Sequence, residues 1–304
     1  MSVFNAYMSL SGAVDADVLR AESLARRTTY RIGGPAALLV VAHGYAALAR
    51  TLAVLEQEGV AWVIVGKGSN LLVADRGYDG CVIVLDKEFA RLAVGEDATI
   101  TAGAGVVLSK VVNEALKASV AGLACCAGIP GTLGGAVSMN AGDRREGLGA
   151  RVRDLVVLRP GKGLHRYAGF DVEWGQRSTS LPTSEIVLEA TFALERTAQA
   201  DIARDMESRL RRRRETQPLG APSAGAVFRD PPERSAALLI ESCGLGGLAV
   251  GGAQLSGENP NFILNRGGAT AADVVAVMRR VHDSVWERCG VDLSCAVKLL
   301  GFGA

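Results

Sequence analysis

Glycine-rich loops are the feature of this sequence that most constrains its fold. The longest is GIPGTLGGAVSMNAG at Gly128–Gly142, and two shorter ones are RIGGPA at Arg31–Ala36 and VGKGSNLLV at Val65–Val73. Neither a Walker A motif nor a Rossmann G-x-G-x-x-G motif is present. Glycine tolerates unusual backbone dihedrals and lets N–H groups face an anion. Each loop alone is equally compatible with a tight turn, but three together, two of them at strand ends, favour a phosphate-bearing ligand.

The composition excludes several classes of function. Lysine plus arginine numbers 33 and aspartate plus glutamate 32, a net charge of +1, which argues against a nucleic-acid binder because such proteins need a basic surface. No apolar run reaches membrane-spanning length, and the N-terminus, with Asp15 and Asp17, does not resemble a signal peptide. Six cysteines without a C-x-x-C motif and three histidines predict no metal site. We therefore expect a cytoplasmic protein with reduced thiols, of unpredicted oligomeric state.

Hydrophobic periodicity suggests three regions, at residues 1–95, 96–198 and 199–304, the first of them a small βαβ-type lobe. A capping-box pattern, Thr270-Ala-Ala-Asp273, predicts the start of a helix in the last region. Further strands are predicted at Ala37–Ala42, Trp62–Val65, Cys81–Leu85, Leu155–Leu158, Ile186–Phe192 and Val291–Leu300, and further helices at Tyr45–Leu55, Val106–Leu116 and Ile202–Arg214.

Six motifs in a fixed order give the sequence a specific resemblance. They are TTYRIGGPA, VGKGSNLLV, GIPGTLGGAVSMNAG, RRRRETQP, SAGAVFRDP and GGAQLSGENPNFILN. Their order and approximate spacing resemble those of the UDP-N-acetylenolpyruvoylglucosamine reductase (MurB) family, over about residues 20 to 301. The resemblance implies an α+β protein with the two-lobed FAD-binding fold of the vanillyl-alcohol-oxidase type. It further implies a C-terminal α+β substrate domain, with the regions above as lobe 1, lobe 2 and substrate domain.

The resemblance also implies FAD as a cofactor, with NADPH as electron donor. The FAD is expected to be non-covalent, because His43, His165 and His282 are not in a flavin-linking context. By position, the family's cofactor-binding residues correspond to Ile32, Gly33, Gly34, Gly66, Gly68, Ser69, Asn70, Gly128, Ile129, Gly131, Thr132, Gly134, Gly135, Asn140 and Gly142.

Two alanines occupy the positions at which the family carries its acid–base groups. In the family, NADPH reduces the flavin, the flavin gives hydride to one carbon of an enol ether, and a serine protonates the other carbon. That serine belongs to SAGSVFKNP, and the matching SAGAVFRDP has Ala226 in its place. An assisting glutamate belongs to PEVR, and the matching SCAVKLLG has Ala296. Because a positioned acid or base contributes roughly 10²–10⁴-fold, the resemblance predicts an impaired parent reaction.

Other positions of the family's substrate site also depart from its pattern. A Tyr-Arg pair becomes Gln176-Arg177, a Lys-His pair becomes Glu258-Asn259, and NAGAYGGE becomes NAGDRREG with Arg144 and Arg145. Arginine suits a carboxylate or phosphate because its planar head donates two parallel hydrogen bonds. The predicted substrate-binding residues are Arg177, Arg214, Glu258 and Asn259.

The candidates for replacing the missing groups are Ser223, Ser294 and Cys295, each close in sequence to one of the two alanines, and the new carboxylate Glu258. A structural role as a turn, cap, core or surface residue is the simpler interpretation of each. The main prediction is an FAD-dependent oxidoreductase that acts on another small polar molecule outside peptidoglycan synthesis, for example in specialised metabolism. The alternative is a genuine UDP-N-acetylenolpyruvoylglucosamine reductase with a substitute acid, and the third function is a flavin-binding protein without turnover. In each case the expected partner is a small molecule, not a nucleic acid or a membrane.

Overall fold

The computed structural model describes residues 2–143, 146–232 and 234–303. The chain forms two compact units, each assembled from separate stretches of sequence. Unit 1 comprises Met1–Arg20, Leu38–Gly66 and Gly80–Arg212, and unit 2 comprises Ala21–Ala37, Lys67–Asp79 and Arg213–Ala304. Each unit has its own hydrophobic core. The division into three regions at residues 95 and 198 stays a prediction.

The described chain contains α-helices separated by runs of one to six strands, except that the fifth and sixth helices are consecutive. The α-helices are α1 (Val3–Leu10), α2 (Tyr45–Gln57), α3 (Leu108–Lys117), α4 (Leu133–Ser138), α5 (Gln199–Thr216), α6 (Ala236–Ser242) and α7 (Ala271–Cys289). The strands are β1 (Ala16–Ser23), β2 (Pro35–Ala42), β3 (Trp62–Ile64), β4 (Leu71–Val73), β5 (Tyr78–Leu85), β6 (Leu92–Val94), β7 (Thr99–Gly103), β8 (Val120–Ala121), β9 (Val152–Arg159), β10 (Gly163–Ala168), β11 (Trp174–Gly175), β12 (Ser178–Thr179), β13 (Ile186–Ala193), β14 (Glu195–Arg196), β15 (Ala249–Val250), β16 (Ala253–Leu255), β17 (Ile263–Asn265) and β18 (Lys298–Leu300).

An antiparallel sheet in the order β10-β9-β13-β7-β6 supports unit 1. Its central strand, β13, is buried along nearly its whole length, as expected of a strand covered on both faces. Helices α3 and α4 pack against this sheet, and α3 buries Leu108, Val111, Val112 and Ala115 as one apolar face. The sheet therefore holds in place the glycine-dense segment that leads into α4.

A second sheet has the order β1-β2-β5-β3, with β3 parallel to β5. Helix α2 connects β2 to β3 along the chain and buries a row of side chains that includes Leu48, Leu52 and Leu55. The same leucines belong to the hydrophobic core of unit 1. This is the βαβ-type arrangement that the periodicity predicts for the first region.

Helix α7 is the largest element of unit 2 and packs on the antiparallel strands β15 and β16. The Thr270 side chain accepts a hydrogen bond from the Asp273 N–H and the Asp273 side chain accepts one from the Thr270 N–H, which confirms the capping box. At the other end, Gly290 has a φ of 63°, the left-handed cap typical of glycine. Val274, Val277 and Val281 form the buried face of the helix.

Most of the predicted elements are confirmed to within a few residues, and one is wrong in extent. The apolar run Val291–Leu300 does not form one strand. Only β18 is a strand, paired in parallel with β4, whereas Cys295 makes an isolated antiparallel bridge to Phe228. The run divides because its two halves pair with different partners in opposite directions.

Within residues 2–143, 146–232 and 234–303, the helices are too short or too polar to cross a bilayer. The same residues contain no cluster of three or more histidine, cysteine, aspartate or glutamate side chains arranged to hold a metal ion.

His282 on α7 predicts a pH dependence of stability. Its two ring nitrogens lie 3.1 Å from Asp283 Oδ1 and 2.9 Å from Asp292 Oδ1, and hydrogen bonds to these carboxylates raise the pKa of His282. A raised pKa in the folded state stabilises the protein below the unfolded pKa of about 6.5, and the gain is lost as pH rises through the folded pKa. His282→Gln should therefore lower the urea midpoint more at about pH 5.5 than at about pH 8.5. An equal loss at both pH values would contradict this linkage.

Candidate functional site

The segment Gly128–Gly142 is tied to the loop that precedes α3. The Leu108 N–H donates to the Gly131 carbonyl at 3.1 Å, and the Gly134 N–H donates to the Ala104 carbonyl at 2.8 Å. A Cβ atom on Gly134 would lie 2.8 Å from the Ala104 Cβ, closer than carbon atoms can approach. Glycine is therefore required where α4 begins.

Gly66, at the end of the second predicted strand, meets the same segment within unit 1. A Cβ atom on Gly66 would lie 2.2 Å from Thr132 Oγ1, so no side chain fits without displacing Thr132. Unit 1 thus brings together two of the sequence-predicted FAD-binding positions from loops that are 66 residues apart in the chain.

Asn140 lies two residues after the end of α4. Its backbone has a φ of 41°, its side-chain Nδ2 donates to the Gly175 carbonyl at 2.9 Å, and its Oδ1 accepts from the Gly149 N–H at 3.0 Å. Gly142 forms an isolated antiparallel bridge with Gly147. The Asn140 amide therefore joins two backbone segments, a structural contribution that its sequence motif did not reveal.

Unit 2 contains the Ile32–Gly34 positions. The Thr28 hydroxyl donates to the Ile32 carbonyl at 3.1 Å, and the Gly34 N–H donates to the Ala74 carbonyl at 2.9 Å. A Cβ atom on Gly34 would lie 2.2 Å from the Asp75 carbonyl oxygen. The RIGGPA turn is thus fixed by contacts that exclude any larger residue.

The Gly68–Asn70 loop also lies in unit 2. The Thr29 N–H donates to the Gly68 carbonyl at 3.3 Å. The Asn70 Nδ2 donates to the Ala296 carbonyl at 3.0 Å, and the Asn70 carbonyl accepts from the Lys298 N–H at 3.0 Å. A predicted cofactor-loop residue is therefore bonded to the segment that carries one of the two alanines.

The two alanine positions belong to neighbouring backbone segments of unit 2. The Ala296 N–H donates to the Val227 carbonyl at 2.7 Å, and Phe228 and Cys295 form an antiparallel bridge. Ala226 is half-buried, and Ala296 is 5% exposed. The structure therefore brings together the positions that the sequence predicts for the acid and the assisting carboxylate.

Asn261 fixes the segment on the other side of Ala226. Its Oδ1 accepts from the Phe228 N–H and its Nδ2 donates to the Phe228 carbonyl, both at 2.9 Å, and its own carbonyl accepts from the Val227 N–H. Asn261 is 6% exposed. Sequence reasoning missed this positioning residue, whose only sequence signal is an asparagine between Pro260 and the apolar run that follows.

The Cys295 thiol and the Ser223 residue differ in their surroundings. Cys295 Sγ donates to the Val297 carbonyl at 3.1 Å, and burial raises the pKa of the Cys295 thiol, so the thiol keeps its proton at neutral pH. Ser223 is half-buried, and its carbonyl accepts from the Thr29 hydroxyl at 2.7 Å. Both side chains hold a proton at neutral pH, and Cys295 lies on the segment that pairs with Phe228.

Tyr30 adds a buried hydroxyl to the core of unit 2. Its side chain is 1% exposed, and its oxygen has no hydrogen-bond partner among the described residues. Burial, and secondarily the Cys295 thiol, raise the pKa of the Tyr30 hydroxyl. The hydroxyl therefore stays protonated at neutral pH.

The predicted substrate-binding residues are distributed over both units. Arg177 is in unit 1, in the turn between β11 and β12, and has a φ of 54°. Arg214 and Glu258 are exposed in unit 2. The Asn259 Nδ2 donates to the Thr216 carbonyl at 2.9 Å, so this amide is engaged with the backbone. Arg144 and Arg145 lie outside the described residues.

Comparison with known domain families divides the chain into two matched segments. Residues 36–160 match the FAD binding domain family, and residues 217–300 match the C-terminal domain of UDP-N-acetylenolpyruvoylglucosamine reductase. The first segment contains the Val65–Val73 and Gly128–Gly142 loops, and the second contains both alanine positions.

Proteins that are similar to this chain over nearly its whole length carry the name of the same reductase. The UDP-N-acetylenolpyruvoylglucosamine reductase of Heliobacterium modesticaldum is 40% identical over 93% of this chain and 90% of its own length. The reductase 2 of Symbiobacterium thermophilum is 41% identical over 93% of this chain and 92% of its own. This chain belongs to the UDP-N-acetylenolpyruvoylglucosamine reductase family. The crystal structure of the reductase from Thermus caldophilus, 33% identical, matches with a TM-score of 0.81 over 94% of this chain and 98% of that one.

Family membership establishes an FAD-dependent oxidoreductase with the α+β, two-lobed FAD-binding fold and the MurB-type C-terminal domain. The predicted cofactor positions fit FAD chemically. They supply backbone N–H groups, hydroxyls and amides but no carboxylate, as a diphosphate requires because a nearby carboxylate would repel it. The close packing at Gly34, Gly66 and Gly134 holds these loops in one conformation.

Gly66→Ala tests the packing of the loops. The added methyl group overlaps Thr132 Oγ1, so Thr132, itself a predicted FAD-binding position, has to move at a cost of about 1–3 kcal/mol. We expect FAD to bind about tenfold more weakly or worse, measured by titration of flavin fluorescence quenching.

Gly246→Ala is the matched control, because a Cβ atom there has no neighbour within 4 Å. In the double variant Gly66→Ala/Thr132→Ala, which removes the overlapping hydroxyl, FAD affinity should return to that of Thr132→Ala alone. Unchanged FAD affinity in Gly66→Ala would contradict the packing argument.

Asn261→Ala tests the clamp on Phe228. The variant removes two hydrogen bonds and leaves the buried Phe228 N–H and carbonyl without their partners, which should lower the free energy of unfolding by about 2–4 kcal/mol. Urea denaturation measures the loss. Asn113→Ala, at an exposed position on α3, should change stability by no more than about 0.5 kcal/mol. Similar effects of the two substitutions would show that the clamp contributes little.

Proposed function

We propose that this protein reduces UDP-N-acetylenolpyruvoylglucosamine with NADPH as the electron donor. The observation that carries the proposal is the agreement of the relatives: eight proteins named as this reductase are 37–41% identical to the chain over 92–97% of its length. The substrate is then a small anionic molecule with a diphosphate and a carboxylate.

Reduction of an enol ether requires a hydride for one carbon and a proton for the other. A bound flavin supplies the hydride. The side chains of Ala226 and Ala296 have no acidic proton to give, so the proton has to come from another group of the chain or from water. This requirement separates the protein from a relative that has a serine at the first position.

Cys295 is the group that we propose as the substitute acid. It pairs with Phe228, two residues after Ala226, and its thiol is protonated at neutral pH because burial raises its pKa. To serve as an acid it has to turn away from the Val297 carbonyl to which it now donates. Ser223 or an ordered water would be the alternative proton source.

Arg177 is the residue that we propose to bind the substrate carboxylate. A guanidinium group donates two parallel hydrogen bonds to a carboxylate and keeps its charge at every physiological pH. Its place in a two-residue turn between β11 and β12 presents it at a strand end. Exposed Arg214, with Glu258 and Asn259, is proposed as a more peripheral contact.

One observation favours a second function: Ala226 and Ala296 lie on adjoining segments, at the positions of the family's acid and carboxylate. Loss of both an acid and a carboxylate suits chemistry that needs hydride transfer alone, such as dehydrogenation of a C–H bond on another small polar substrate. The glycine loops that fit FAD would be kept under either function. The two functions therefore use the same cofactor and differ in whether the reaction needs a proton donor.

Ala226→Ser tests the two functions directly. Under the proposed function, restoring the hydroxyl should raise kcat for UDP-N-acetylenolpyruvoylglucosamine by roughly 10²-fold or more, because a positioned acid contributes that much. The measurement is NADPH oxidation with this substrate, together with loss of the oxidised-flavin absorbance when NADPH is added alone.

Matched variants separate the proton sources. Ala226→Gly, which adds no hydroxyl, should leave kcat low. Cys295→Ala should remove the remaining turnover, and Ala226→Ser/Cys295→Ala should recover it. If NADPH reduces the flavin but neither the wild type nor Ala226→Ser turns over the enolpyruvyl sugar, the proposed function is wrong and the second one is favoured. A flavin that NADPH does not reduce would indicate a binding protein.

A further inference from the structure

Two thiols from different helices lie close together in unit 2. Cys243 caps the C-terminus of α6 and Cys289 is the last residue of α7. Their Sγ atoms are 3.9 Å apart, and both cysteines are free. A disulfide has an S–S distance of about 2.05 Å, so the two sulfur atoms need to approach by less than 2 Å, as side-chain rotation at two helix ends allows.

The backbone around the pair is already held in place. Arg288 Nη1 donates to the Cys243 carbonyl at 2.8 Å, and helices α6 and α7 pack against each other. Cys289 Sγ also lies 3.9 Å from Ser242 Oγ, and Cys243 Sγ donates to the Ser284 carbonyl at 3.7 Å. The pair is therefore poised for a bond that requires little backbone movement.

A second pair of cysteines has the same Sγ–Sγ distance but is not suited to form a disulfide. Cys125 and Cys126 also have Sγ atoms 3.9 Å apart, but they are adjacent in the chain. A disulfide between adjacent residues closes an eight-membered ring and has to distort the peptide bond between them, which resists departures from planarity. Proximity of the sulfur atoms alone therefore does not favour that pair.

We propose that Cys243 and Cys289 form a reversible disulfide, a redox modification site that joins α6 to α7. The oxidant is a peroxide: the Cys289 thiolate attacks hydrogen peroxide to form a sulfenic acid, releasing hydroxide. The Cys243 thiolate then attacks that sulfur, the S–S bond forms, and the sulfenic oxygen leaves as hydroxide. With two protons from the thiols, the balance is two thiols plus one peroxide giving one disulfide and two waters, and a small dithiol reductant reverses it.

The order of the two steps follows from burial. Cys289 is half-buried, whereas Cys243 is 2% exposed, so peroxide reaches Cys289 first. Burial raises the pKa of the Cys243 thiol, and the thiolate is the form that attacks. Disulfide formation should therefore speed up as pH rises from about 7 to 9.

The experiment treats the FAD-loaded full-length protein with hydrogen peroxide, alkylates the remaining thiols in denaturant, and maps tryptic peptides by mass. Trypsin releases Cys243 on residues 235–266, and it releases Cys289 and Cys295 together on residues 289–298. The expected product is these two peptides joined and 2 Da lighter than their sum, with the join lost after dithiothreitol. If peroxide leaves all six cysteines open to alkylation, or oxidises Cys289 without linking it, the proposal is wrong.

Cysteine-to-serine variants identify which two cysteines form the disulfide. Because several variants are compared, the conclusion does not depend on the folding of any one of them. Cys289→Ser and Cys243→Ser should abolish the linked peptide, whereas Cys125→Ser should retain it. A linked peptide that survives in Cys289→Ser would assign the bond to Cys295 and overturn the proposal. In the wild type, oxidation should raise the melting temperature by about 5 °C or more, because the disulfide closes a long loop. None of these readouts depends on turnover, so the result does not depend on the proposed function.

Discussion

Close approach of backbone at glycine is the constraint on which the rest of this structure depends. Gly66 against Thr132 and Gly134 against Ala104 in unit 1, and Gly34 against Asp75 in unit 2, leave no room for a Cβ atom. These contacts set the conformation of the loops that suit a diphosphate. A larger residue at any of them would have to move a neighbouring loop, so local packing depends on the same residues that the sequence predicts to bind the cofactor.

The acid–base positions depend on a different kind of contact. Residues 226–229 are held between Asn261 on one side and residues 294–296 on the other by backbone and amide hydrogen bonds. None of these bonds uses the side chain of Ala226 or Ala296. The backbone there can therefore keep its conformation whichever side chains occupy these two positions.

The chemistry of the cysteine side chains also depends on their surroundings and not on the backbone alone. Cys243 and Cys289 lie at the ends of two packed helices, and Cys295 lies beside the Ala226 segment. A thiol is a small apolar group when protonated and a nucleophile when ionised. Burial and neighbours, which differ among these sites, decide which of the two properties each cysteine has.

The sequence alone is enough to predict the glycine loops, the amphipathic helices, the capping box at Thr270 and the family, because these depend on residues close together in the chain or on motif order. The folded structure is needed to show that Ala226 and Ala296 lie on paired segments, that Asn261 and Asn140 are hydrogen-bonded to backbone, and that the run Val291–Leu300 divides between two partners. It also decided which cysteines are neighbours. The physical reason is that hydrogen bonds and contacts between residues far apart in sequence depend on how the chain folds back on itself, which local periodicity does not encode.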